Sequence, residues 1–133
     1  MTTPTTLSLY DRIGGRETLR VLLRSFYAEL RQHREMGRLL VRHVADWPAH
    51  LEKIADFWSG AIGGPMRDHW ATASKHLSLG LREEHFATWL GLWERHCRAR
   101  LAAPEAAEMI CCAQAIGQRL QEIGEKLKSG KRK

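Results

Sequence analysis

The chain has 133 residues, 44% of them hydrophobic and 27% charged, the balance of one soluble domain with a core of its own. No apolar run nears the roughly 18 to 20 residues of a bilayer span, and three cysteines, two of them adjacent, make no disulfide framework. Lys and Arg exceed Asp and Glu by 21 to 15, but Lys126, Lys128, Lys131, Arg132 and Lys133 lie in a basic end without an acid, so the body keeps too little excess for a nucleic-acid face.

The opening Met1 to Thr6 has neither the charged start nor the apolar stretch of a secretory signal, which predicts a cytoplasmic protein with no membrane span. Residues 1–9 are Thr-rich, without periodicity, and read as a flexible lead-in; residues 10–128 form the domain, and 129–133 a basic tail. Gly14-Gly15 punctuates the chain before a helix from about Arg16 to Gln32, whose Leu19, Leu22, Leu23, Phe26, Tyr27 and Leu30 share one face. Met36 to Leu40 reads as a turn or a single helical turn.

Asp46-Trp47-Pro48 is a strong helix start, since Asp caps orphan amides and Pro suits the first turn. The helix runs to about Ile62, with His50, Ile54, Phe57 and Ala61 in line, and Gly63-Gly64-Pro65 ends it. From Pro65 to Leu81 the pattern is irregular, with a short turn expected near Ala71 to His76. A helix follows from about Arg82 to Leu101, carrying Phe86, Trp89, Leu90, Trp93 and Cys97 on its inner face. Ala103-Pro104-Glu105 starts the last helix, to about Lys128, with Ile110, Gly117, Leu120 and Leu127 along one side. No strand pattern appears, so the fold class is all-α, with four main helices and a long irregular middle of the kind that carries function.

Of the seven histidines, His50 and His76 combine most readily. His50 lies on an apolar helix face, where an imidazole needs a partner. It reads either as a satisfied core histidine or as half of a pair with His76, across a slot walled by Phe26, Ile54, Phe57, Leu77, Leu79, Phe86 and Trp89. A flat apolar cofactor with a central metal fills such a slot with one histidine as axial ligand, and haem meets that description. A zinc site of His69, His76 and a cysteine lacks paired ligand spacing.

In these blocks the sequence resembles the truncated haemoglobins, closest to group III. They are Leu9 to Gly15, Ser25-Phe26-Tyr27-Ala28, Asp46 to His50, Asp56-Phe57-Trp58, Lys75-His76-Leu77-Ser78-Leu79 and Glu84 to Leu90, whose order and spacing together are fairly specific. The resemblance implies a two-over-two helical sandwich around a haem slot. It puts His76 at the proximal iron ligand, Tyr27 and His50 at distal polar positions, and Trp89 at the distal tryptophan. It puts Phe26, Ile54, Phe57, Leu77, Leu79 and Phe86 against the haem, and Lys53 and Lys75 near the propionates. Leu40 falls where globins usually carry Phe, which keeps the contact apolar but loses a ring. Pro65-Met66-Arg67-Asp68-His69 imitates a stretch that precedes the family's proximal ligand and would nominate His69, but only His76 keeps the expected distances to Phe57-Trp58 and Glu84-His85-Phe86.

The function implied is a haem b protein that reversibly binds O2, NO or CO at pentacoordinate iron, with Tyr27, His50 and Trp89 as hydrogen-bonding partners. Two alternatives stand beside it. One is a haem redox catalyst, an NO dioxygenase or a peroxidase-like enzyme that needs a separate reductase. The other is a haemless interaction or sensor module, in which Tyr27 and Trp89 are ordinary core aromatics. A monomer or weak dimer is expected. Cys97 reads as a packed hydrophobe, and Cys111 and Cys112 point about 100° apart on the last helix, unable to share a metal on one face.

Overall fold

The computed structural model describes residues 7–65 and 83–131, and their regular secondary structure is helical throughout: α1 (Leu9–Ile13), α2 (Gly15–Gln32), α3 (Arg34–His43), α4 (Trp47–Ala61), α5 (Glu83–Arg100) and α6 (Ala103–Lys131). No helix among the described residues is long and apolar enough to cross a membrane.

The first helix begins at Leu9, inside the stretch expected to be a loose lead-in. Ser8 starts it by a reciprocal cap: its hydroxyl oxygen accepts from the Asp11 amide at 3.1 Å, and the hydroxyl lies 3.0 Å from an Asp11 carboxylate oxygen to which it donates. Gly14, at φ 109°, ends α1 and turns directly into α2. All six apolar positions read from the α2 periodicity are buried.

Where a turn was expected around Met36 to Leu40, the chain forms the ten-residue α3, with Met36, Gly37 and Leu40 buried. Gly37 is what allows α3 to fold back so tightly, since a Cβ there would lie 2.2 Å from the Arg31 carbonyl oxygen. The α4 start is as the sequence predicts: an Asp46 carboxylate oxygen accepts from the Ala49 amide at 3.1 Å, with Pro48 in the first turn. Ile54 and Phe57 are buried and His50 half-buried, but Ala61 is exposed, since the last turn buries Trp58 and Ser59 and turns Ala61 to the outside.

Two helix pairs make the layers: α2 packs on α4, α5 packs on α6, and α2 also crosses α5. The α5–α6 register is antiparallel, with the Trp93 indole donating to the Met109 carbonyl at 3.3 Å and Gly117 facing Phe86. Phe26, Trp93, Leu19, Leu22 and Met109 are fully buried where the layers meet. Ion pairs lace the outside. Arg16 holds Glu52 at 2.7 Å and Asp56 at 2.8 Å between α2 and α4, and Arg12 and Glu108 tie α1 to α6 at 2.7 Å. The architecture is the all-α, two-over-two sandwich expected from the sequence.

Candidate functional site

The site forms where α2, α4 and α5 face one another. The 3.6-residue period of α2 turns Phe26 and Tyr27 inward together. Their rings meet edge to face at 4.9 Å, and Phe26 also meets Trp93 at 5.0 Å and Trp89 at 6.0 Å. Tyr27 is buried, and the indole N–H of Trp89, from α5, donates to its hydroxyl oxygen. Burial pushes the Tyr27 phenol up to about 12, with the Trp89 hydrogen bond opposing, so the hydroxyl stays protonated at any ordinary pH. Its oxygen already accepts from Trp89, which leaves its proton for a second acceptor.

The α4 side supplies Ile54 and Phe57, both buried, and His50, whose ring stands edge-on to Trp47 at 5.5 Å. Trp47 also reaches Tyr27 at 6.1 Å, so it links Tyr27 and His50. The sequence reading took Trp47 only as part of a helix start. An aromatic one turn before a histidine on the same face was the available signal. Phe86 and Leu40 are buried in the same apolar cluster, and Lys53 is exposed, as a residue at a rim would be. His76, His69, Lys75, Leu77 and Leu79 lie outside the described residues, so the structure brings together only the α2, α3, α4 and α5 part of the expected set.

One buried polar group had no sequence signal. His85, next to Phe86, places Nε2 3.5 Å from a Glu35 carboxylate oxygen, joining α5 to the start of α3. Fifty positions separate the two in the chain, and no local pattern predicts such a pair. Cys97 and Cys112 are pushed up by burial, to about 12 and about 11, which makes both poor nucleophiles and agrees with packing roles.

The described residues fit a haem on an observation of their own. A buried hydroxyl, held by an indole N–H, stands in one cluster with Ile54, Phe57 and Phe86, apolar walls that suit a flat hydrophobic ring and exclude water.

Comparison with known proteins points the same way. A family profile described as "Bacterial-like globin" matches residues 8–113. The chain is 29% identical over 85 residues to the group 3 truncated hemoglobin ctb of Campylobacter jejuni subsp. jejuni serotype O:2, covering 60% of this chain and 67% of that one. Its fold matches the group II 2-on-2 hemoglobin from the plant pathogen Agrobacterium tumefaciens with a TM-score of 0.66 and 25% identity, covering 86% of this chain and 97% of that one. The profile spans the helices that carry Tyr27, His50, Ile54, Phe57 and Trp89, and membership of this family implies a haem cofactor. This chain belongs to the bacterial-like globin family, as a truncated globin of the group III-like kind.

Proposed function

We propose that this protein binds haem b through His76 and uses it to hold a diatomic gas, O2 foremost and NO or CO alike. Haem, when bound, supplies an open coordination position on ferrous iron. The chain's own residues do the rest. The observation that carries the reading is the buried Tyr27–Trp89 pair. By donating to the phenolic oxygen, Trp89 fixes the rotation of the Tyr27 hydroxyl and makes its proton a better donor. Tyr27 then presents that proton to the partly negative far atom of a polar diatomic ligand. Ile54, Phe57 and Phe86 keep water from competing for it. His50, half-buried beside Trp47, has the role of screening entry to that pocket in this reading. Lys53, exposed on α4, is suited to a propionate.

An absorption spectrum with added hemin, oxidised and dithionite-reduced, tests this in the parent chain and in His76→Ala and His69→Ala. The expected result is a sharp Soret band that only His76→Ala loses. A band lost only in His69→Ala would move the proximal ligand, and a parent chain that stays colourless would end the haem reading.

A further inference from the structure

A cavity of about 380 Å³ opens between α2 and the first turns of α4, and the proposed gas chemistry makes no use of it. Arg24 and Arg31, two helical turns apart on one face of α2, line it together with Leu23 and Tyr27; Trp47 and Leu51 line it from α4. The acid on this lining is Glu52, and its charge is already taken: Arg16 lies 2.7 Å and Arg20 2.9 Å from its carboxylate oxygens. Arg24 and Arg31 have no acidic partner among the described residues. Arg31 has its guanidinium carbon 4.5 Å from the centre of the Trp47 ring, a cation–π contact that holds the side chain at the cavity without neutralising its charge. The cavity therefore pairs two uncompensated cations with an apolar floor.

We infer that this cavity is a binding site for a small organic carboxylate, with the acid group between Arg24 and Arg31 and the apolar body on Leu23, Leu51 and the Tyr27 ring. A volume at the low end for small-molecule sites has room for one ring or a short acyl chain beside the acid group. The charge pattern requires an anion, and the apolar floor requires that the anion carry hydrocarbon. The site does not depend on haem, although Tyr27 is a wall of it and also the acceptor of the Trp89 hydrogen bond.

The test is a benzoate titration of the purified full chain, labelled with 15N, following the Trp47 indole N–H and the Arg24 and Arg31 Nε–H signals. The Trp47 signal is assigned with Trp47→Phe. Saturable shifts of these signals are expected, with benzamide and inorganic phosphate each binding about tenfold more weakly or worse. Arg24→Gln and Arg31→Gln should each weaken benzoate about tenfold, whereas Arg119→Gln, on α6, leaves it unchanged. Both arginines are exposed, so the variants keep the fold, which the remaining indole signals verify. Phosphate binding as tightly as benzoate would reduce the site to a patch of surface charge and overturn the assignment. Parent-like binding in the Arg24→Gln, Arg31→Gln double variant would do the same, as would a haem absorption change that tracks benzoate in place of the Trp47 signal.

Discussion

At the scale of single residues, the hydrogen bond between Trp89 and Tyr27 sets the expectations. If Trp89 acts through Tyr27, the two are one device, and their effects will not add. Tyr27→Phe should speed O2 dissociation by roughly ten- to a hundredfold, the worth of about 1.5–3 kcal/mol for one buried hydrogen bond to a charged partner. Trp89→Phe should speed it less, and in the Tyr27→Phe background it should do almost nothing further. Flash photolysis or stopped-flow exchange against CO measures all three variants. Additive losses would mean that each side chain meets the ligand separately. A second expectation concerns Phe26, fully buried and in edge contact with Tyr27, Trp89 and Trp93. Phe26→Ala should cost about 3–5 kcal/mol of unfolding free energy in a urea titration, because the cavity opens where both layers meet.

At the scale of elements, the ties between helices are charged and lie near the surface, so they respond to pH. The Glu29 carboxyl is held below its ordinary value of 4.5 by a hydrogen bond from His96 and then by Arg95, both on α5. A carboxylate with a depressed value in the folded state adds stability above its unfolded value, and that stability is lost as pH falls through the folded one. Glu52 on α4 and Glu108 on α6 are depressed in the same direction, first by Arg16 and Arg12 respectively. Glu29→Gln should therefore weaken the protein near neutrality and still at pH 4.5, and the gap between parent and variant should close only as pH falls further, through the depressed folded value, as urea midpoints at several pH values would show. Each such pair contributes little alone, being exposed to water and salt.

How readable each helix was follows from the kind of signal it carries. The start of α4 is written locally, in Asp46 and Pro48, and the buried face of α2 is written in its spacing; both were plain in the sequence. By contrast, α1 has five residues, too few for a period, and its mark was the capping pair Ser8 and Asp11. The reading of α3 failed because Gly37 suggests a break, whereas here the missing side chain lets the helix pass against the Arg31 backbone. At the site, Phe26, Tyr27, Ile54, Phe57 and Phe86 could be found from periodicity because each lies on a regular helix. Trp47 as the link between Tyr27 and His50, and the His85–Glu35 pair, depend on how separate helices are placed, which spacing does not encode.

At the scale of the whole molecule, rings of α2 and α4 meet those of α5 between the two layers. A ligand held between layers stabilises the folded state by mass action, so hemin should raise the melting temperature of the parent chain in proportion to the logarithm of its concentration. His76→Ala should show little of that rise, even if its own melting temperature without hemin is unchanged. Differential scanning calorimetry at several hemin concentrations checks this, and an equal rise in both chains would mean that hemin binds elsewhere.

The paired indoles of the core have an optical consequence. Trp58 of α4 and Trp93 of α5 stack with centroids 4.7 Å apart and planes 22° from parallel, while Trp89 and Trp93 lie 6.3 Å apart and nearly coplanar in direction at 3°. Transition dipoles that close, and twisted with respect to each other, couple as an exciton, and a fixed twist gives that coupling a handedness. The chain should therefore show a signed circular-dichroism couplet from its indoles, one that Trp58→Phe weakens, by removing the closer pair, while leaving the helical bands in place. Among the described tryptophans, Trp58 and Trp93 are the pair that joins the two layers through stacked rings. The couplet is thus a built-in gauge of how α4 sits on α5, readable without any label.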